Sequence, residues 1–116
     1  MIRAVIIDDE PQNANMLKKD IVNYCPSVEV ISQCHSAKDG ILTIKKEKPD
    51  LIFLDIEMPW MNGFEMLELL DEINFSIIFT TAHGQFAANA FRLRAVVYYF
   101  KPINANDLKD AVNNAD

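Results

Sequence analysis

Cysteine is scarce in this chain: there are two in 116 residues, Cys25 and Cys34, and no CxxC pair. A disulfide framework or a thiolate metal site needs more ligands at closer spacing, so both are read as reduced thiols of a cytosolic protein. Long hydrophobic runs are missing too. No stretch nears the roughly 20 apolar residues of a membrane span, so no membrane is expected as a partner. The opening "MIRAVIIDDE" has one arginine before a short apolar run and no small-residue cleavage site, and it reads as a first strand. Basic charge is the third shortage. Seventeen acidic residues face eleven basic ones, for a formal net charge of −6, and the densest basic cluster is "KKEK" at 45–48. That cluster is the solvated end of a helix. Binding a nucleic acid takes a basic stripe, so direct contact with DNA or RNA is not expected.

What is present is a strict alternation. The length suits one domain, 1–116, with a single core. Apolar runs rich in β-branched and aromatic residues recur at 4–7, 51–54, 76–80 and 96–100, continuous enough to be strands covered on both faces. "VEVISQC" at 28–34 is less uniform and suits an edge strand. Between the runs lie helical stripes: Ala14, Leu17, Ile21 and Tyr24; Ala37, Ile41 and Ile44; Leu67, Leu70 and Ile73; Ala105, Leu108, Val112 and Ala115. A weaker helix is expected at 84–91. Asp9 and Glu10 before Pro11 suggest an acidic first turn, Ser36 a cap for the second helix, and Asn62 a cap for the third. Five strand–helix repeats with short connections specify an α/β sandwich around a parallel sheet, (βα)5.

"LIFLDIEMPWMNG", residues 51–63, ends its most apolar strand on Asp55, and a buried carboxylate is costly unless something compensates it. In an open parallel sheet, ligands bind beyond the carboxyl ends of the strands. Those ends carry Asp8 and Asp9, Asp55, Thr80 and Thr81, and the approach to Lys101. Each has a plainer reading: helix caps for Asp8 and Asp9, a turn cap for Asp55, a strand residue for Thr81, a surface lysine for Lys101. None of these explains why three carboxylates, a hydroxyl and an amine converge on one edge. Three close carboxylates need a counter-charge, which a hard divalent cation such as Mg²⁺ supplies through oxygen ligands. Such a site suits phosphoryl transfer to a carboxylate oxygen.

With "IIDDE" at 6–10, "DIEMPWMNG" at 55–63, "TTA" at 80–82 and "YYFKPI" at 98–103, the chain resembles the receiver domains of two-component response regulators over its full length. The resemblance implies a flavodoxin-like three-layer fold with a five-stranded parallel sheet in the order 2-1-3-4-5. It implies that Asp55 accepts a phosphoryl group from a phosphohistidine of a sensor histidine kinase. Asp8, Asp9, Asp55 and the backbone carbonyl of Glu57 would bind Mg²⁺ or Mn²⁺, and Thr81 and Lys101 would hold the phosphoryl oxygens. Gly63 would supply permissive backbone at the turn into the third helix. Receivers commonly hold the bond corresponding to Lys101–Pro102 in the cis form. Movement of Thr81 would let Tyr98 rotate inward and repack the face made by the fourth helix, fifth strand and fifth helix. Glu57 and His83 stand where receivers tune the lifetime of the phosphoryl group, although His83 can equally be a solvated loop histidine.

The stretch 77–103 is also similar to receivers joined to LytTR-type DNA-binding domains, except that Val97 stands where an acidic residue is usual. Phe86, Phe91 and Val97 are either core or a face for a homodimer or an output domain. The resulting expectation is a cytoplasmic, phosphorylation-activated switch controlling transcription. It would catalyse only its own phosphorylation and slow dephosphorylation. The alternatives are a stand-alone adaptor, a receiver that only docks proteins, and a Mg²⁺-dependent aspartyl-phosphate phosphohydrolase. The last normally carries an Asp-x-Asp pair after its first strand, which "IIDDEPQ" lacks.

Overall fold

A computed structural model describes residues 1–81, 97–100 and 105–114. The apolar runs form strands β1 (Ile2–Ile7), β2 (Val28–Cys34), β3 (Leu51–Asp55), β4 (Ser76–Thr81) and β5 (Val97–Phe100). They pair in parallel in one sheet of order β2-β1-β3-β4-β5. The chain therefore lays β2 on one side of β1 and crosses back to lay β3 on the other, the reversal that the resemblance implied. β2 is an edge, as its uneven composition suggested. It is mostly half-buried, whereas every residue of β3 is buried.

Side chains alternate across the sheet and feed two cores. Val5 and Ile7 of β1 join Ile52 and Leu54 of β3 on one face, while Ala4, Ile6, Leu51 and Phe53 belong to the other. The first face is covered by helix α2 (Ala37–Glu47), through Ala37 and Ile44, and by helix α3 (Gly63–Glu68). The second is covered by helix α1 (Pro11–Tyr24), through Ala14, Leu17 and Ile21, and by the C-terminal helix (Ala105–Asn114), through Leu108 and Val112. Three layers result. The expected helix at 84–91, Phe86, Phe91 and Ala115 lie outside the described residues.

The caps follow the sequence closely. Ser36 accepts a bond from the Asp39 N–H at 3.1 Å. Asn62 and Glu65 form a reciprocal capping box, at 2.9 and 3.0 Å. Three local expectations fail. The first turn of α1 holds no acidic residue, because the helix begins at Pro11 with Glu10 as an extended N-cap. Proline suits that first position, where an N–H would lack a partner anyway. The third stripe also stops early. α3 ends at Glu68, and Leu70 bonds back only three residues, to the Leu67 carbonyl, so the last turn tightens and the polar stretch from Asp71 turns the chain away. Leu70 is half-buried and Ile73 is exposed. Tyr24 likewise leaves the core stripe for the surface, with the Lys109 ammonium 5.7 Å from its ring centre.

Candidate functional site

β1 and β3 run side by side with Ile7 opposite Leu54. One residue further on, the chains deliver Asp8 and Asp55 to the same rim. Each of Asp8, Asp9 and Asp55 offers a carboxylate oxygen within 4.8 Å of the others. Asp8 is only 4% exposed and Asp55 only 3%, so water solvates both poorly. At such separations each like-charge pair opposes the fold by about 3 kcal/mol for an effective dielectric near 20. An all-oxygen cluster of this charge, with two of its three carboxylates buried, fits a hard divalent cation.

Backbone bonds hold these side chains. The Asp8 N–H donates to the Cys34 carbonyl at 2.9 Å, which carries the β1–β2 pairing one residue past the strand. Asp8 Oδ1 accepts from the Glu10 N–H at 2.9 Å. Asp55 Oδ1 accepts from the Glu57 N–H at 3.3 Å, while the Glu57 side chain itself is exposed. Each carboxylate is thus oriented by the amide two residues further on. His35, which the sequence reading did not single out, lies with Nδ1 3.1 Å from the Asp8 carbonyl. A carbonyl only accepts, so Nδ1 is the protonated nitrogen in that contact.

Gly63 matters for a different reason than expected. Its φ is not positive. A Cβ there would instead lie 2.9 Å from the Asp55 carbonyl oxygen and 3.1 Å from Leu54 Cγ, so glycine allows α3 to start against the backbone of Asp55. The Gly63 N–H closes the intervening loop on the Ile56 carbonyl at 2.9 Å. The left-handed residue of this loop is Trp60, at φ 70°.

Next to Asp55, β4 contributes Thr80, which is opposite Asp55 in register and 95% shielded, being 5% exposed. Thr81 follows and pairs with Phe100; Tyr98 pairs with Phe79. Lys101, the Lys101–Pro102 bond and His83 lie outside the described residues. The structure therefore brings together the three predicted acidic residues, with Glu57 alongside, and sets the Thr81 backbone at the end of the adjacent strand.

A doubly covered parallel α/β sheet with an acidic cluster at its carboxyl rim is the arrangement that the resemblance in the sequence implied. The pattern of the response regulator receiver domain matches residues 4–113, and the chain belongs to that family. It is thus a phosphorylation-dependent signalling domain and not an enzyme in the ordinary sense. An uncharacterized response regulatory protein of Shewanella oneidensis is 41% identical over 109 residues, covering 93% of this chain and 46% of the relative. Transcriptional regulatory protein BtsR of Escherichia coli is 38% identical over 105 residues, 90% of this chain and 44% of that protein. The chain spans about half the length of the curated relatives it matches. Among solved structures, a response regulator receiver domain protein from Clostridium thermocellum superposes with a TM-score of 0.84 at 26% identity, covering 99% and 94% of the two chains. The response regulatory domain of MrkE from Klebsiella pneumoniae gives a TM-score of 0.88 at 24% identity, over 98% and 94%, which speaks to the fold. No helix among the described residues is long and apolar enough to cross a membrane.

Proposed function

We propose that Asp55 is the phosphoacceptor of this receiver and that a sensor histidine kinase is its donor. The observation that carries the reading is the meeting of Asp8, Asp9 and Asp55 within 4.8 Å, with Asp8 and Asp55 buried. An Asp55 carboxylate oxygen attacks the phosphorus of a phosphohistidine; the P–N bond breaks and the imidazole leaves with a proton. Asp8, Asp9, Asp55 and the Glu57 carbonyl are the groups assigned to hold Mg²⁺ or Mn²⁺, which supplies positive charge for the phosphoryl oxygens. Thr81 donates its hydroxyl and Lys101 its ammonium to those oxygens. Water attacks the phosphorus slowly without a second protein, breaking its bond to the Asp55 oxygen and releasing inorganic phosphate, with Glu57 and His83 as the tuning positions.

The signal leaves through Thr81 and Tyr98, which repack the surface of the fifth strand and its flanking helices toward an output domain or a second copy. Similarity to BtsR supports transcription as the regulated process, and membership of the receiver family suits a cytoplasmic site of action. A LytTR-type output rests on the resemblance of 77–103 alone. The test is labelling with phosphoramidate and Mg²⁺, with Asp55→Ala and EDTA as controls. One acid-labile phosphate per chain, lost in both controls, supports the reading. Continuous release of phosphate would make the protein a hydrolase, and no labelling would leave it a docking module.

A further inference from the structure

Trp60 is the single tryptophan of the chain, and its side chain is 101% exposed. A lone exposed apolar residue is ordinary. A tryptophan in left-handed backbone is not: at φ 70° its Cβ crowds the backbone, a cost that glycine in the same turn would avoid. The indole buries nothing against the described residues, so side-chain packing does not offset that cost and only the turn's own backbone bond does. An indole presented in this way is available to a partner outside the chain.

The loop's geometry says where. Ile56 and Gly63 are joined at 2.9 Å, and Met61 turns back on the Pro59 carbonyl at 2.8 Å. Trp60 is three residues from Gly63, so its Cα lies within roughly 11 Å of the Gly63 Cα. Gly63 in turn packs on the Asp55 carbonyl. A protein that hands a phosphoryl group to Asp55 must cover the rim around it. An ordinary interface takes about 800 Å² from each partner, a disc of roughly 16 Å radius, and centred on Asp55 that disc takes in the Trp60 loop. Tryptophan is also the side chain most enriched among residues that dominate binding.

We propose that Trp60 is a docking anchor for the histidine-bearing domain of the phosphodonor kinase. The inference rests on the assignment of Asp55 as phosphoacceptor, and its test separates the two. Trp60→Gly and Trp60→Ala are compared with the unaltered chain in two assays: labelling by phosphoramidate, and transfer from the autophosphorylated core of a sensor histidine kinase chosen because it labels the unaltered chain. Phosphoramidate labelling is expected to stay within about twofold. Transfer from the kinase core is expected to lose at least about tenfold in kcat/KM, carried by KM, with Trp60→Phe intermediate. Relief of the left-handed strain should lower the unfolding constant of Trp60→Gly about fivefold or more, which also shows that the variant folds. Transfer within about twofold of normal for both variants overturns the docking role while leaving Asp55 in place. So does a loss confined to self-association in sedimentation. Failure of phosphoramidate to label the unaltered chain overturns the parent assignment instead.

Discussion

If the acidic rim is held together against its own charge, neutralising one member should stabilise the metal-free protein. Asp55→Asn is the cleanest such change. It keeps the shape, and the amide oxygen can still accept the Glu57 N–H that now bonds Asp55 Oδ1. It removes two like-charge pairs, to Asp8 and Asp9, at separations up to 4.8 Å. At about 3 kcal/mol per pair the ceiling is roughly 6 kcal/mol. Residual water at half-exposed Asp9 and side-chain relaxation reduce this, and a gain of about 1–2 kcal/mol in EDTA is expected. For a domain of this size that is a rise of very roughly 5–10 °C in Tm. Mg²⁺ should then act in the opposite sense on the comparison. At ten times its Kd it stabilises the unaltered chain by about 1.4 kcal/mol and closes much of the gap, while Asp55→Asn responds less. Urea titrations with and without Mg²⁺ measure both. A variant less stable than the unaltered chain in EDTA, together with no Mg²⁺ effect on either, would refute the electrostatic reasoning.

Gly63→Ala places a methyl 2.9 Å from the Asp55 carbonyl, where backbone must give way; a loss of about 1–3 kcal/mol in thermal unfolding and slower phosphoramidate labelling are expected. Asn62→Ala breaks the capping box of α3 and should cost about 1 kcal/mol by the same melt, with a larger relative effect on hydrogen exchange in that short helix. Burial raises the Cys25 thiol above its ordinary pKa, with Lys109 pulling partly the other way. The protonated thiol is therefore favoured in the folded state. Its contribution to stability is complete below the unfolded thiol's pKa and is lost as pH rises through the folded value. Urea midpoints measured from pH 7 to pH 10 should fall on the alkaline side, less steeply in Cys25→Ala; equal slopes would remove Cys25 as the cause.

The strands and the acidic rim were legible in the sequence for one reason. In a sheet buried on both faces, an apolar run that meets a charge marks both the strand's end and the edge where ligands bind. Caps were legible because Ser36 and Asn62 each stand directly before an apolar stripe with an acidic residue three positions on. Lengths were not. Leu70 and Ile73 keep helical spacing after α3 has ended, since spacing does not register a last turn that tightens. Glycine chemistry misled in a related way. Gly63 looked like the flexible point of its loop, yet the left-handed residue is Trp60, and Gly63 is required by how closely α3 approaches Asp55. Close approach is a property of two segments, so neither segment alone reveals it.

Register explains why the site tolerates so little rearrangement. Ile7 opposite Leu54 and Asp55 opposite Thr80 together set which groups share the rim. Successive side chains point to opposite faces, so a one-residue slip between β1 and β3 would carry Leu54 into the face of Phe53 and turn Asp55 from the pocket. The two cores oppose that slip: each alternates residue by residue along both strands, Ala4 and Ile6 with Leu51 and Phe53, Val5 and Ile7 with Ile52 and Leu54. The carboxylates repel one another, yet they sit on strands whose apolar bodies cannot separate without exposing both cores. Their closeness is imposed by packing at a distance from the charges, and that same packing keeps the rim in the geometry that the proposed cation and phosphoryl group require.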